Sequence, residues 1–329
     1  MRPTGAGRLG KPGGILYGDM TESGTIGFVG FGEAAYHLSR GLRAAGLPPF
    51  VAYDIHTHTP GRGEKIRQRA EETGTRLVES NAELAGAAEW ILSTVTSDQA
   101  AVAAGQNAPH LNAFHLYADL NSVSPAIKQE IARTIESSGA RFVEIAMMAP
   151  VPPYAQRVPI LAGGAAAMEF AERMNPYGMR IQVISPEVGT AAATKMFRSI
   201  MVKGMEALIT ECVLGAGRYG AEQAVFASLS ESYPGIDWKA MADYMIGRVV
   251  EHGERRAREM EEVAETLKSI GIEPIMAEAT ARRMEWSAET GLKQHFGGEP
   301  PENYREFLKA VAEIERLERS QGKSDPVSG

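Results

Sequence analysis

The sequence predicts an α/β domain followed by an all-α domain, with a long helix linking the two. Short apolar runs alternate with helical patterns from residue 25 to about residue 185. After Pro186 the strand patterns stop, and residues 193–217 read as one long helix rich in apolar side chains. A chain of 329 residues suits two domains, each large enough to bury its own core.

Eight apolar runs of strand length make up the first half. In chain order they are TIGFVG, FVAYD, TRLVES, WILSTV, FHLYADL, RFVEIAM, PILAGG and RIQVIS. The segments between them, such as EAAYHLSRGLRAAG and SPAIKQEIARTIESSG, carry apolar residues at helical spacing and end at glycine, a usual helix stop. This alternation predicts a mostly parallel sheet with helices on both faces.

The second half reads as helix almost throughout, from about residue 190 to residue 316. After the linking helix come WKAMADYMIGRVVEHGERRAREMEEVAETLKSIG, EPIMAEATARRMEWSAE and NYREFLKAVAEIERLE, separated by Gly- and Pro-containing breaks at 271–274 and 297–301. We therefore assign residues 24–186 to the α/β domain and 187–316 to the helical domain. Residues 1–23 are predicted to be a flexible extension and 317–329 a disordered tail.

Composition and charge limit the classes of function. The chain has 34 basic and 41 acidic residues, a net charge of −7, and no dense basic stripe interleaved with aromatic residues, which argues against a nucleic-acid surface. No apolar run approaches the ~18–20 residues that cross a bilayer. The single cysteine, Cys212, lies in the apolar stretch ALITECVLGA and is expected to be buried. One thiol closes no internal disulfide, which fits a cytoplasmic protein.

A glycine-rich turn follows the first strand. Residues 30–35, GFGEAA, give the pattern G-x-G-x-x-A between an apolar strand and a helix. Gly30 permits the tight turn, Gly32 lets the backbone approach a pyrophosphate, and the small Ala35 allows the helix to pack closely on the strand. The pattern predicts a Rossmann-type dinucleotide-binding domain in which the cofactor meets Gly30, Phe31, Gly32, Glu33 and Ala34.

An acidic residue, Asp54, ends the second strand. At this position a carboxylate binds the adenosine ribose hydroxyls and repels a 2′-phosphate, which favours NAD over NADP. Two alternatives stay open: Asp54 as a turn or helix-capping residue, and a 2′-phosphate held by basic residues of the next loop, namely His56, His58, Arg62 and Lys65. Val95 and Thr96, at the end of the fourth strand, are also expected to line the cofactor.

A polar segment, DLNSVSP, follows the fifth strand. Asn121 and Ser122 lie at the carboxyl end of a strand and before a helix, where side chains and free N–H groups can hold a carboxylate. A Ser-Pro helix cap is the alternative. It would explain Ser124 and Pro125, but it explains Asn121 and Ser122 less well.

The linking helix places Lys195, Ser199 and Lys203 at successive steps of four, so they share one face. Its other positions are mostly apolar, so we expect Lys195 to point into a cleft. A buried lysine has a lowered pKa and can exchange a proton with a hydroxyl or carbonyl group. Further on, a face carrying His252, Arg255, Arg256 and Glu259 is typical of solvated ion pairs, with substrate contact as the alternative. The other six histidines show no metal-ligand spacing, and no metal is expected.

Taken together, these residues resemble the β-hydroxyacid dehydrogenase superfamily, which contains 3-hydroxyisobutyrate and 6-phosphogluconate dehydrogenases. The resemblance covers about residues 24–315 and rests on IGFVGFGEAA, DLNSVSP and the lysine of GTAAATKMFRS, and it is strongest to the branch with a phosphogluconate dehydrogenase-type C-terminal domain. It implies that Lys195 is the general acid/base and that Asn121, Ser122 and Val123 bind the carboxylate of a small-molecule substrate. It also implies a homodimer, or a higher homo-oligomer, formed through the helical domain.

Two positions depart from the superfamily pattern. The chain has Met148-Ala149-Pro150 where relatives usually have Ser-Gly-Gly, which predicts a bulkier or more apolar substrate pocket, and Ser199 replaces an asparagine that usually contacts the substrate. The resemblance implies hydride transfer between NAD(P) and an alcohol or carbonyl group β to a carboxylate. The alternatives are an imine reductase, which commonly lacks the lysine, and a sensor that binds NAD(P) without turnover.

Overall fold

The structure, a computed structural model, describes residues 24–320. Within this range eight strands form one sheet, in the spatial order β3-β2-β1-β4-β5-β6-β7-β8. Neighbouring strands are parallel except for the antiparallel pair β6–β7, which confirms the predicted mostly parallel sheet. The strands are β1 (Ile26–Val29), β2 (Val51–Tyr53), β3 (Arg76–Leu77), β4 (Trp90–Ser93), β5 (Leu116–Asp119), β6 (Arg141–Met147), β7 (Pro159–Gly163) and β8 (Arg180–Ser185).

Helices of the same part of the described chain cover both faces of the sheet. They are α1 (Glu33–Ala44), α2 (Arg62–Thr73), α3 (Asn81–Ala87), α4 (Ala100–Asn107), α5 (Pro125–Glu136) and α6 (Ala167–Met174). Leu38 of α1, Ile66 of α2 and Phe170 of α6 belong to the core on one face. Leu84 of α3 and Ile131 of α5 belong to the core on the other. The sheet is therefore buried on both faces, as a parallel sheet requires.

The rest of the described chain is helical. Its helices are α7 (Thr190–Gly217), α8 (Glu222–Ser232), α9 (Trp238–Ser269), α10 (Ile275–Glu289), α11 (Leu292–His295) and α12 (Tyr304–Ser320). Helix α9 packs against α7 and α10. The long helix predicted after the sheet is α7, and the all-helical second half is confirmed. The division into domains at residue 186 stays a prediction.

The two predicted terminal segments fall mostly outside the described residues. Residues 1–23 and 321–329 lie beyond the range, but residues 317–320, which were assigned to the tail, are helical in α12. Glu315 pairs there with Arg319 one turn later, at 3.7 Å, and with Arg218. These pairs favour the continuation of the helix. Within residues 24–320, no helix is long and apolar enough to span a membrane.

The expectation that Cys212 is buried is wrong. Cys212 is exposed, because it shares the outer face of α7 with Met201, Met205 and Leu208, which are exposed as well. The opposite face of α7 packs into the helical half through buried residues such as Val213. Apolar residues surround α7 on most sides, so the sequence pattern alone could not show which side is covered.

Candidate active site

The glycine-rich turn connects β1 to α1 in a conformation that requires glycine. Gly30 has a φ of 79°, and a Cβ atom there would lie 2.9 Å from Cγ1 of Val95 and 3.0 Å from the Thr94 carbonyl oxygen. The amide of Gly30 donates to the carbonyl of Tyr53 at 2.8 Å. Val95 therefore lies directly against the turn, and Thr96 is exposed just beyond it.

The next residues of the turn, 31–34, contribute in two ways: the Phe31 side chain packs in the core, whereas the backbone of the others is open to a ligand. The Phe31 ring is fully buried and packs edge-on against Phe28, with ring centroids 5.9 Å apart, so only its backbone can face a ligand. A Cβ atom added to Gly32 would have no neighbouring atom within 4 Å, and Gly32 begins α1 without a side-chain cap. Glu33 and Ala34 form the first turn of that helix, whose N–H groups favour an anion.

Asp54 lies at the edge of this turn. One carboxylate oxygen accepts from the Phe31 amide at 2.7 Å and the other from the His56 amide at 2.8 Å. Asp54 is thus both a turn residue and a neighbour of the glycine turn, so the two interpretations are compatible. The basic loop that follows is close by, because an Arg62 guanidinium nitrogen lies 3.4 Å from Nε2 of His56.

A cleft of about 130 Å³ lies where the sheet meets the helical half. Its walls come from the loop after β5, the first turn of α5, the end of β6, the first half of α7 and the last third of α9. Residues far apart in sequence meet here. Six of the predicted substrate and catalytic residues line this one cleft: Asn121, Ser122, Val123, Lys195, Ser199 and Lys203.

Lys195 is the central side chain of the cleft. Its Nζ donates to Oγ of Ser122 at 2.8 Å, which joins α7 to the loop after β5. Burial, and next the Lys128 ammonium, lower the pKa of Lys195 to about 8, while Glu259 opposes them. A lysine in this state exchanges protons near neutral pH, as a general acid/base must.

Asn121 is held by its neighbours on the strand ends. Its amide nitrogen donates to Oγ of Ser93 at 2.9 Å and to the Asp119 carboxylate. Because a carboxylate can only accept, Asp119 fixes which end of the amide faces it. Both amide protons are used, and the Asn121 carbonyl oxygen is buried without a partner among the described residues. The Asn121 side chain therefore has no proton left to donate to a substrate carboxylate.

The helix-cap interpretation of DLNSVSP holds for its second half. Oγ of Ser124 accepts from the Ile127 amide at 3.4 Å, and Pro125 occupies the first position of α5. Ser122 is exposed and free of that role. The segment thus caps a helix with Ser124 and turns Ser122 toward Lys195.

The wall opposite the strand ends is charged. Nζ of Lys203 pairs with Glu259 of α9 at 2.7 Å, and Glu259 also pairs with Arg255 at 2.6 Å. Burial alone would raise the pKa of Glu259, but the bonds from Lys203 and Arg255 lower it overall. Burial and the Glu259 charge raise the pKa of Glu262, which also lines the cleft. The substrate-contact alternative for the α9 face thus fits Glu259.

Other residues of that α9 face have different surroundings. Arg256 is buried and pairs with Glu206 of α7, so it is not part of a solvated surface. His252 lies 3.3 Å from Glu251, away from this cleft. The spacing of these residues predicted that they share one face of α9, but the sequence could not show that α7 covers part of that face.

Ser199 and Met148, two further predicted substrate residues, have different surroundings. Ser199 lines the cleft, but its Oγ lies 3.3 Å from the Lys195 carbonyl oxygen of the preceding turn. Met148 is not among the residues that line this cleft, to which β6 contributes Ile145 and Ala146, so its contact with the substrate stays a prediction. Met148 follows the end of β6. Its amide donates to the carbonyl of Pro159 on the antiparallel neighbour β7 at 2.8 Å, so the backbone of Met148 is held against β7.

Sequence reasoning missed Lys128 and Glu262, both of which line the cleft. Lys128 looked like a surface residue of α5, and Glu262 looked like one more charge on a charged helix. A signal existed for Lys128 only. It stands among the first residues of its helix, where a positive charge is unfavourable to the helix dipole and so needs another explanation.

Comparisons with known proteins agree with this picture. A family model described as "Domain of unknown function (DUF1932)" matches residues 216–287. A conserved hypothetical protein of Sinorhizobium meliloti is 38% identical, with a TM-score of 0.79 over 88% of this chain and 96% of that one. A conserved protein of unknown function, reported as structurally similar to 3-hydroxyacid dehydrogenases, is 30% identical, with a TM-score of 0.71 over 80% and 97%. The mitochondrial 3-hydroxyisobutyrate dehydrogenase of Mus musculus is 23% identical over 67% of this chain and 65% of its own.

Proposed function

Because the chain belongs to the β-hydroxyacid dehydrogenase superfamily, we propose that it is an NAD(P)-dependent dehydrogenase acting on an alcohol or carbonyl group β to a carboxylate. The observation that carries this proposal is the pairing of Lys195 with Ser122 at 2.8 Å in the cleft between sheet and helices. This hydrogen bond places an amine that can exchange protons beside a polar loop at the carboxyl end of a strand, where ligands of open α/β sheets bind.

The turn after β1 fits a nicotinamide dinucleotide. The open space at Gly32 and the uncapped start of α1 leave room and N–H groups for a diphosphate. The backbone amides of residues 32–34 would hold the diphosphate, because those of Gly30 and Phe31 already donate to Tyr53 and Asp54. Asp54 would meet the ribose, and Val95 and Thr96 would line the path toward the cleft. A bound nicotinamide would supply the hydride chemistry, as acceptor for the hydride of the carbinol carbon and, in the reverse direction, as hydride donor to the carbonyl carbon.

NAD is the proposed cofactor in preference to NADP. The Asp54 carboxylate is fixed by two backbone amides at the edge of the turn, where its charge would oppose a 2′-phosphate. Arg62 is the nearby residue that could reverse this preference. Dissociation constants for NAD⁺ and NADP⁺ test the proposal, which predicts tighter binding of NAD⁺.

Lys195 performs the proton transfer in this mechanism. In the oxidation direction, the neutral amine takes the hydroxyl proton as the carbinol C–H bond breaks, and the lysine becomes an ammonium. In the reduction direction, the ammonium returns that proton to the carbonyl oxygen. The pKa of about 8 lets both forms exist near neutral pH. The Ser122 hydroxyl holds the amine in place.

The substrate carboxylate is assigned to Ser122 and Val123. The side-chain amide protons of Asn121 are already bound to Ser93 and Asp119, so this side chain supports the loop rather than binding the carboxylate. Ser199 lies one turn after Lys195 and lines the cleft. It offers a shorter hydroxyl in place of the usual asparagine, which leaves room for a larger substrate.

Substitution of Lys195 tests the mechanism. In Lys195→Ala we expect kcat to fall by about 10²- to 10⁴-fold, the usual contribution of general acid–base catalysis, while NAD⁺ binding persists. A panel of 3-hydroxyacids and cyclic imines is assayed by nicotinamide absorbance. A fall of less than about fivefold would contradict the proton-transfer role, and faster turnover of imines than of hydroxyacids would favour an imine reductase.

A matched control is available on α9. Lys239→Ala removes a lysine that is ion-paired to Asp243 at 3.4 Å, near the start of the helix. This variant should keep full activity. If the Lys195 and Lys239 variants lose activity equally, the loss reflects a general effect of removing a lysine and not catalysis.

A further inference from the structure

Lys128 is buried in a place where a lysine is unusual. Only 1% of the residue is exposed, and lysines are almost never fully buried unless they are paired. It lies at the fourth position of α5, near the positive end of the helix dipole. Neither helix propensity nor solvation explains this position, so the explanation must come from what the side chain binds.

All three protons of the Lys128 ammonium are used. Nζ donates to the Asp119 carboxylate at 2.6 Å, to the Asp119 carbonyl at 2.7 Å and to the Ile145 carbonyl at 3.1 Å. These acceptors lie at the carboxyl ends of β5 and β6. One side chain therefore ties two strand ends together beneath the loop that contains Asn121 and Ser122.

The bonds extend from Lys128 to that loop. The second oxygen of the Asp119 carboxylate accepts from the Asn121 amide, which also donates to Ser93 on β4. The chain Lys128–Asp119–Asn121–Ser93 thus spans three strand ends. Lys128 contributes to the wall of the cleft, whereas Asp119 does not. The positive member of the buried pair is therefore the one that faces the cavity.

We infer that Lys128 is a positioning residue for the proposed dehydrogenase site, which holds the Asn121–Ser122 loop in place and presents its charge to the cavity that Lys195 shares. The inference rests on the proposed role of Lys195. Lys128 does not touch the substrate in this assignment. It acts through the geometry of the loop and through the electrostatic field at the Lys195 amine.

The charges that face Lys195 come from three helices. Lys128 faces it from α5, Lys203 from α7 itself, and Glu259 and Glu262 from α9. Lys203 and Glu259 are paired with each other at 2.7 Å and act in opposite directions on the pKa of Lys195, the effect of Glu259 being the larger. Glu262 favours the ammonium form. Burial is the largest cause of the lowered pKa of Lys195, and the charge of Lys128 is the second largest.

The test measures the ionisation of Lys195 in the cofactor-free protein. An amine-specific reagent reacts only with neutral lysine, and mass spectrometry of the Lys195 peptide gives the labelling rate from pH 6 to 11. In Lys128→Met we expect the labelling midpoint to rise by about 0.5–1 unit, which reduces labelling below the midpoint by about three- to tenfold. Lys128→Arg, which keeps the charge, should restore the original midpoint.

Two further variants keep the test decisive. Lys128→Met leaves Asp119 buried without its partner and could unfold the protein, so the double variant Lys128→Met/Asp119→Asn removes both charges and should still raise the midpoint. Lys239→Met is the matched control, because it lies twenty residues before Glu259, roughly 30 Å along α9 at 1.5 Å per residue. Its midpoint should equal that of the wild type.

The outcomes separate this inference from the proposed function. An unchanged midpoint in a folded variant that lacks Lys128 would overturn the inference, even if the wild type is an active dehydrogenase. A raised midpoint in a protein that turns over no substrate would support the role of Lys128 and reject the dehydrogenase proposal. In active variants, the pH–rate profile should move with the labelling midpoint.

Discussion

Lys195 depends on its surroundings for both its position and its charge. Ser122 fixes the amine, while burial and Lys128 make the ammonium less stable than it is in water. The carboxylates of Glu259 and Glu262 act in the opposite sense. The resulting pKa of about 8 is a balance of these effects, so the activity should change with pH in a direction that follows from the reaction.

The two reaction directions should respond to pH with opposite signs. Oxidation needs the neutral amine, so kcat/KM for the hydroxyacid should rise with pH, by about tenfold per unit below the pKa, and level off above about 8. Reduction needs the ammonium, so kcat/KM for the carbonyl compound should be level below about 8 and fall above it. Initial rates from pH 6 to 10 check this. Profiles with the same sign in both directions would contradict a single lysine acting as base and acid.

Gly32 should matter for the cofactor but not for folding. Its φ of −77° suits alanine, and no atom lies within 4 Å of an added Cβ. In Gly32→Ala we therefore expect an unchanged melting temperature but at least about tenfold weaker NAD⁺ binding, since the methyl group enters the space where the diphosphate meets the backbone. Calorimetric titration measures the binding.

A second glycine provides the control for that prediction. Gly105 lies in α4 and also has open space around it. Gly105→Ala should leave NAD⁺ binding unchanged and stabilise the fold by up to about 1 kcal/mol, because alanine loses less entropy in a helix. Equal NAD⁺ affinities in the two variants would mean that the turn after β1 does not hold the diphosphate.

The residues of the site differ in how well sequence could predict them. The turn at Gly30 and Gly32 is local, because its function depends on a few consecutive backbone conformations. Lys195, Ser199 and Lys203 follow from a single helical period. Lys128 and Glu262 could not be predicted in this way, since their importance comes from packing against segments far away in the chain. Long charged side chains on a helix normally face water, and only the fold shows the exception.

At the scale of elements, the start of α7 is attached to the sheet by a buried carboxylate. Glu144 of β6 is fully buried and accepts from the amides of Gly189 at 2.6 Å and Ala192 at 2.5 Å. These are the N–H groups of the N-cap residue and of the third residue of α7, which would otherwise lack acceptors. Lys195 lies three residues after Ala192, so this contact helps to set its position in the cleft.

Glu144→Gln should weaken both stability and catalysis. The amide nitrogen of glutamine cannot accept, so at least one charge-assisted hydrogen bond is lost, at a cost of about 2 kcal/mol in the free energy of unfolding. We expect kcat to fall as well, because the start of α7 is no longer fixed. Urea denaturation and steady-state kinetics measure the two effects.

Another helix cap serves as the control for Glu144. Ser80 caps α3 by accepting from the Glu83 amide at 3.1 Å. Ser80→Ala should cost about 1 kcal/mol in unfolding free energy, and it should leave kcat unchanged because α3 does not reach the cleft. If Glu144→Gln is destabilised but fully active, the carboxylate supports the fold and does not position Lys195.

The elements themselves were well predicted, because each depends on a local pattern. All eight apolar runs became strands, and the glycine and proline breaks at 271–274 and 297–301 separate helices in the structure. The end of α12 was placed too early, at residue 316, whereas the helix continues to Ser320, where Glu315 pairs with Arg319 one turn later. The exposed face of α7 was also missed, since it depends on which surfaces other helices cover.

At the scale of the whole molecule, α7 has one face that the described chain leaves uncovered. Met201, Met205, Leu208 and Cys212 recur at steps of three and four, so they form one stripe along the helix. Met201 is 65% exposed and Leu208 is 58% exposed. We propose that a second copy of the chain covers this stripe, as the superfamily resemblance implies for the helical domain.

Leu208→Glu should therefore separate the subunits. In a two-fold symmetric interface each substitution occurs twice and can bring like charges together, so one glutamate per chain adds two buried charges. Light scattering coupled to size exclusion should give a dimer for the wild type and the 35.4 kDa monomer for the variant. Val102→Glu, which charges an apolar residue 50% exposed on α4, should leave the dimer intact.

Catalysis provides a second measure of the same interface. Lys195 lies on α7 less than two turns before Met201, so losing the partner would expose the outer side of the helix that positions the amine. We expect the Leu208→Glu monomer to lose kcat but to keep its NAD⁺ affinity, because the glycine turn follows β1, which lies three positions along the sheet from β6, a strand that α7 contacts. A wild type that is monomeric at micromolar concentration, or a Leu208→Glu variant that stays dimeric, would show that the stripe on α7 is not the subunit interface.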